Sequence, residues 1–108
     1  MKKPITIMLA GAFLFAGSVY AQKGGDAAKG KEVFEQCSVC HNADSTEVKM
    51  GPGLKGLFKK GKLSTTGKPV NDANVLEKVN EGGNGMPSYK DILSDGDKAN
   101  LIAYLKTL

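Results

Sequence analysis

The stretch C-S-V-C-H, from Cys37 to His41, holds both cysteines and the only histidine of this 108-residue chain. Side chains at positions i, i+3 and i+4 of a helical turn lie on one face. Cys37, Cys40 and His41 can therefore contact the same bound group. A structural disulfide, a redox-active thiol pair, a metal site and a haem attachment point each use some of these residue types, and the rest of the chain has to distinguish between them.

Three of these alternatives fit the chain poorly. A disulfide between residues three positions apart closes a very small loop, so it restrains little of the unfolded chain. A thioredoxin-like thiol pair is expected in a βαβ context, and no strand-like alternation persists along this sequence. A tetrahedral zinc site needs four ligands, whereas the chain offers only three Cys and His residues.

A covalently bound haem uses all three residues. Cys37 and Cys40 can each form a thioether to the edge of one porphyrin, and the same turn brings His41 over the iron as an axial ligand. The pattern C-x-x-C-H is the attachment signal of c-type haem. The sequence therefore predicts one haem c, held through Cys37 and Cys40, with His41 on the iron.

The second axial ligand decides what the iron does, because an open position binds small molecules whereas two protein ligands favour electron transfer. No second histidine exists, so a methionine thioether is the candidate, and after residue 21 the chain has only Met50 and Met86. Met50 follows His41 too closely to reach the opposite haem face comfortably. Met86 lies in a Gly-rich loop followed by Pro87, which restricts the backbone there. We predict Met86 as the second ligand.

The N-terminal segment has the layout of a secretory signal peptide. A basic M-K-K precedes a charge-free run from Pro4 to Ala21, and small residues lead up to a cleavage point after Ala21. An uncleaved anchor is the alternative, because this run is at the lower limit for spanning a bilayer. The prediction is a signal peptide over residues 1–21, one domain over residues 22–108, a periplasmic location and no stable membrane insertion after cleavage.

The charged residues argue against nucleic acid as a partner. All 15 basic residues are lysine, against 11 acidic residues, which gives a net charge of +4. Arginine, the usual side chain for bidentate recognition of phosphates and bases, does not occur. Six lysines and no acidic residue lie between Val48 and Asn71, at positions 49, 55, 59, 60, 62 and 68. This run is either a solvated face or a docking surface for acidic redox proteins.

Three stretches have helical periodicity and are separated by long loops: residues 26–37, 71–83 and 94–108. Asp26 is a candidate N-cap for the first, and Asn71 or Asp72 for the second. Ser94 and Asp97 resemble a capping box at the start of the third. The class is all-α. The segment after residue 21 has few aromatic residues and no Trp, so we expect the haem to complete a thin core and the haem-free chain to be largely unfolded.

Together these features resemble a bacterial class I c-type cytochrome, over essentially all of residues 26–108. The specific part of the resemblance is the stretch G-K-E-V-F-E-Q-C-S-V-C-H. Three weaker motifs follow in the expected order: G-P-G-L at Gly51–Leu54, G-M-P at Gly85–Pro87 and L-I-A-Y-L at Leu101–Leu105. The resemblance implies a small fold of three to four main helices with long loops around one haem, ligated by His41 and Met86.

The resemblance also implies specific contacts. The first and last helices would cross, with Gly30 and Phe34 against Leu101 and Tyr104. The carbonyl of Pro52 would accept the proton of the His41 ring and fix its orientation. The chain lacks the Trp that many relatives place near a haem propionate, and four residues are candidates for that role: Lys49, Thr65, Thr66 and Tyr89.

The expected function is that of a soluble periplasmic one-electron carrier between a donor oxidoreductase and a terminal acceptor, with no substrate chemistry of its own. Two alternatives stay open. A haem enzyme or gas sensor would have a labile Met86, and a small haem subunit would be held within a larger oxidoreductase complex. The absence from the sequence of a second His, of Arg and of an evident acid–base cluster argues against the enzyme.

Overall fold

The computed structural model describes residues 24–108. The predicted signal peptide, residues 1–21, lies outside the described residues. Three α-helices follow one another within residues 24–108: α1, Ala27–Phe34; α2, Asp72–Glu81; and α3, Asp95–Leu105. A 3₁₀ turn, Leu57–Lys59, lies in the long connection between α1 and α2. The predicted all-α class is confirmed.

Side-chain caps begin each helix, because the first N–H groups of a helix have no partner within it. The Asp26 side chain accepts hydrogen bonds from the backbone N–H groups of Ala28 and Lys29. The Asn71 side chain accepts one from Asn74. Ser94 and Asp97 form the reciprocal capping box that the sequence predicts.

Helix α1 ends at Phe34, whereas the periodicity of the sequence predicts that it continues to Cys37. Beyond Phe34 the chain continues in tighter turns, in which the N–H of Cys37 donates to the carbonyl of Phe34 at 2.7 Å. Successive tight turns keep side chains three and four positions apart on one face, as an α-helix does. The periodicity in the sequence therefore does not distinguish an α-helix from successive tight turns.

The two terminal helices, α1 and α3, pack closely where α1 has a glycine. A Cβ placed on Gly30 would overlap the carbonyl group of Asn100 and lie 2.7 Å from Cβ of Tyr104. One turn further along, the rings of Phe34 and Tyr104 lie 5.4 Å apart at an interplanar angle of 56°, a tilted geometry that aromatic pairs favour. The close approach predicted at Gly30 is thus present, and Asn100 lies at its centre.

The buried apolar core is small and mostly faces one cavity. Its eight members are Phe34, Leu57, Val75, Val79, Leu93, Leu101, Ile102 and Leu105. All of them except Leu93 and Ile102 line the cavity described below. One charged side chain is buried beside this core: Lys98 donates from Nζ to the carbonyl of Lys90 at 2.9 Å.

Candidate functional site

The C-S-V-C-H stretch forms one compact turn at the end of α1. The N–H groups of Cys40 and His41 both donate to the carbonyl of Cys37, at 3.1 and 3.0 Å. This places Cys37, Cys40 and His41 along the wall of a single cavity. The predicted clustering of two thiols and an imidazole on one side of a common space is therefore present.

The neighbouring loop orients the His41 ring. Nδ1 of His41 lies 2.7 Å from the carbonyl oxygen of Pro52. A carbonyl can only accept, so Nδ1 carries the proton and Nε2 keeps a free lone pair for a metal. The tautomer required of an iron ligand is thus set by the contact that the resemblance implies for Pro52.

Gly51 packs against the flat face of the same ring. A Cβ at Gly51 would lie 2.6 Å from Cε1 of His41, and the N–H of Gly51 donates to the carbonyl of Cys40 at 2.8 Å. Any larger residue would displace the imidazole. The G-P-G-L motif does not by itself predict this role for Gly51, because a contact distance cannot be read from a motif.

The cavity has a volume of about 340 Å³ and is bounded by residues from all three helices and both long loops. Its wall is largely apolar, and no acidic side chain belongs to it in the described part of the chain. One loop contributes four polar side chains to the wall: Lys60, Lys62, Ser64 and Thr65. An apolar wall with a basic and hydroxyl-bearing rim fits haem, whose large apolar ring carries two carboxylate groups.

A bare metal ion fits the site less well. Within residues 24–108 there is no set of three or more Cys, His, Asp and Glu side chains arranged to hold an ion by themselves. The two thiols, the imidazole and the thioether of Met86 are instead distributed around the cavity. This arrangement suits an iron that arrives with its own porphyrin nitrogens.

The two candidate methionines occupy different environments. Met86 is partly buried and packs against the apolar core. Met50 is 80% exposed, and its Sδ lies 3.8 Å from Sγ of Cys40. Met50 is therefore held on the cysteine side, at the edge of the cavity, whereas Met86 enters from the loop that follows α2.

Burial keeps two ionisable side chains of the cavity wall, Cys37 and Tyr89, uncharged in the haem-free chain. Burial raises the pKa of the Cys37 thiol, and the adjacent Cys40 adds to the shift. Burial also raises the pKa of the Tyr89 phenol, with smaller contributions from Cys37 and Cys40. At neutral pH these groups stay protonated, since desolvation disfavours their anions.

The structure sorts the four residues that the sequence offers as propionate partners. Thr65 and Tyr89 line the cavity. Thr66 instead accepts a hydrogen bond from the backbone of Lys68, and Lys49 donates from Nζ to the carbonyl of Ser38 at 2.9 Å. Lys49 and Thr66 do not belong to the cavity wall. No pattern in the sequence distinguishes Thr65 and Tyr89 from Lys49 and Thr66, because the direction of each side chain depends on the loop conformation.

Residues 27–108 match the cytochrome c family. The chain belongs to this family. It is a class I monohaem c-type cytochrome and carries one covalently attached haem c. The predicted family, fold and cofactor are thereby confirmed.

Known relatives agree with this assignment. Cytochrome c2 of Blastochloris viridis is 42% identical over 65 residues, which is 59% of this chain but 51% of that protein's own length. Cytochrome c6 of a Picosynechococcus species is 33% identical over 97% of this chain and 92% of its own. The solved structure of cytochrome c6 from the diatom Phaeodactylum tricornutum superposes with a TM-score of 0.60 at 26% identity, covering 77% of this cytochrome c and 93% of that chain.

Within residues 24–108, this cytochrome c has no helix long and apolar enough to cross a membrane.

Proposed function

We propose that this cytochrome c is a one-electron carrier of the bacterial periplasm. Cys37 and Cys40 would hold the haem through thioethers, and His41 and Met86 would bind its iron. The observation that carries the proposal is that these four side chains line one apolar cavity. The haem supplies the one-electron chemistry, since its iron can be reduced and reoxidised.

The protein's own groups favour electron transfer over substrate chemistry. The contact with Pro52 holds Nε2 of His41 available as a ligand, and a His/Met pair raises the reduction potential. Among the described residues that line the cavity, no carboxylate and no second imidazole is present, and these are the side chains most often used for general acid–base catalysis on a bound substrate.

Export follows from the sequence of the N-terminal segment and from the covalent cofactor. We propose that residues 1–21 are a signal peptide, with cleavage after Ala21, and that residues 22–108 form the mature domain. Covalent attachment keeps the haem with the protein outside the cytoplasm, where a dissociated cofactor would be lost.

A pair of methionine variants tests the ligand assignment. Met86→Leu should abolish the weak far-red band that iron–thioether ligation gives to the ferric protein, because leucine has no donor atom. It should also lower the reduction potential, since loss of the thioether removes the ligand that favours ferrous iron. Both quantities are measured on purified haem-loaded protein, by optical spectroscopy and by voltammetry.

Met50→Leu is the matched control, because it removes the other methionine sulfur of the mature domain. It should leave the far-red band and the potential essentially unchanged. If Met50→Leu removed the band and Met86→Leu kept it, the assignment of Met86 would be wrong. If the wild-type protein had no such band and bound carbon monoxide readily when reduced, a haem enzyme or sensor would replace the carrier.

We further propose that the Lys-rich segment between Val48 and Asn71 docks acidic redox partners. Two of its six lysines are engaged locally: Lys68 lies 2.6 Å from a carboxylate oxygen of Glu77, and Lys49 binds a backbone carbonyl. The hydrogen bond that Lys68 donates to Glu77 raises the pKa of Lys68. The four others, Lys55, Lys59, Lys60 and Lys62, are exposed and form no ion pair among the described residues.

Charge removal tests this docking surface. Replacing Lys55 and Lys59 by Gln should slow oxidation of the ferrous protein by ferricyanide, a small anionic oxidant, about threefold at low ionic strength. The difference should shrink as salt is added, since salt screens the interaction. Stopped-flow rates over a series of salt concentrations measure it.

Replacing Lys29 and Lys31 by Gln removes the same charge from the exposed side of α1 and serves as the control. Equal slowing by the two double variants would mean that only net charge matters. In that case no localised docking surface exists.

A further inference from the structure

The loop that carries Met86 has an unusual backbone. Four consecutive residues have positive φ: Gly82 at 67°, Gly83 at 110°, Asn84 at 56° and Gly85 at 91°. Within residues 24–108, Asn84 is the only residue other than glycine with a positive φ. Ordinary residues avoid this region because their Cβ approaches the carbonyl oxygen, whereas Gly and, to a lesser degree, Asn tolerate it.

These angles close a tight hairpin turn immediately before Met86. The N–H of Gly83 donates to the carbonyl of Met86 at 2.9 Å, and the N–H of Met86 donates to the carbonyl of Gly83 at 3.0 Å. Asn84 and Gly85 are the two central residues between this reciprocal pair. Positive φ at both central positions defines a type I′ turn, for which Asn-Gly is the preferred sequence.

Helix α2 holds the chain that follows Met86. Ser88 donates from its hydroxyl to the carbonyl of Asn80 at 2.5 Å, and the N–H of Tyr89 donates to the carbonyl of Val79 at 3.0 Å. At the end of the helix, a Cβ on Gly82 would lie 2.6 Å from the carbonyl oxygen of Pro87. The backbone of Met86 is therefore fixed by the turn before it and by α2 after it.

We propose that the Asn84–Gly85 turn is a positioning device that keeps the Met86 thioether in place and so excludes external ligands from the iron. This inference rests on the proposed function, in which Met86 is the axial ligand. An external ligand can bind only when the loop opens, so its apparent affinity is reduced in proportion to the open fraction. Asn84 and Gly85 act through Met86 and are positioning residues.

Imidazole binding to the ferric haem-loaded protein measures the open fraction. Gly85→Ala should tighten the apparent imidazole affinity about tenfold, because alanine disfavours the required φ. No other atom lies within 4 Å of a Cβ at this position, so the change acts on backbone conformation alone. Asn84→Ala should tighten the affinity about threefold to tenfold for the same reason.

The Asn84 side chain lines the cavity, so Asn84→Gly is used to separate the effect of backbone conformation on imidazole affinity from the effect of losing this side chain. Glycine accepts the φ of this position, so the imidazole affinity should stay within about twofold of wild type. Ser88→Ala gives a second route to the same result. It removes the hydroxyl bond to α2 without touching the turn, and we expect about threefold tighter binding.

Met86→Leu separates this inference from the ligand assignment itself. It should bind imidazole most tightly of the series, since no ligand has to be displaced. If Met86→Leu binds imidazole like the wild type, Met86 is not the ligand and the proposed function is wrong. If Met86→Leu binds tightly but Gly85→Ala and Asn84→Ala match the wild type, the turn does not position Met86. Asn84→Gly binding as tightly as Asn84→Ala would likewise overturn the inference.

Discussion

A variant with both cysteines replaced, Cys37→Ser and Cys40→Ser, should lose most of the helical circular dichroism of the haem-loaded protein. Neither thioether can form in this variant, so the chain is obtained without covalent haem. The physical reason is the position of the core. Six of the eight buried apolar side chains line the cavity, and without the cofactor they would face solvent or a void.

The helices cannot compensate through their own stability. They contain 8, 10 and 11 residues, and isolated helices shorter than about 12 residues are marginal in water. Their helical content therefore depends on packing. A small domain that lacks a self-sufficient core needs a disulfide, a metal or a cofactor to fold. A cofactor that binds only the folded state supplies the missing free energy of folding.

The measurement compares far-UV spectra of the double variant with those of the wild type and of Met86→Leu. Met86→Leu keeps both cysteines and His41, so it should keep the covalent haem and native helix content. The visible spectrum verifies that the double variant contains no haem. Native-like helix content in the haem-free double variant would show that the chain folds on its own and would contradict this account of the core.

The sequence predicted the helical elements and the clustering of Cys37, Cys40 and His41 because those features are local. Caps at Asp26, Asn71 and Ser94 depend on residues within one turn, and the structure confirms all three. The C-x-x-C-H pattern likewise needs only five residues to place two thiols and an imidazole on one side. Short-range geometry of this kind is dictated by residue type and spacing.

Contacts between segments that are far apart in the sequence were harder to predict from it. The fit of Gly51 against the His41 ring, and the burial of Lys98 against a backbone carbonyl, depend on how loops fold over the helices. The long side chain of Lys98 can bury its methylene groups while its amine finds a partner, which no periodicity indicates. The Asn84–Gly85 turn is a different case, since Asn-Gly is a recognised hairpin signal. From the sequence, that segment was predicted only as a loop.

The close approach of α1 and α3 at Gly30 makes the second large prediction. Gly30→Ala should lower the free energy of unfolding by about 2–3 kcal/mol, the upper range for inserting a methyl group into close-packed structure. The added Cβ would overlap the backbone of Asn100, which cannot turn aside as a flexible side chain could. The two helices must move apart, and the contact between Phe34 and Tyr104 would weaken with them.

Gly96→Ala is the matched control, because Gly96 also lies in a helix and the nearest atom to its added Cβ, the Ser94 hydroxyl oxygen, is 3.8 Å away. Relief of the backbone entropy of glycine should stabilise that variant by about 0.5–1 kcal/mol. Denaturant unfolding of the haem-loaded proteins gives both values. The two substitutions are chemically identical, so changes of opposite sign in the free energy of unfolding would attribute the loss of stability at Gly30 to the helix contact. A gain of stability in Gly30→Ala would mean that the helices do not touch there. The haem stays attached in both variants, because both keep Cys37 and Cys40, and neither substituted position belongs to the cavity wall.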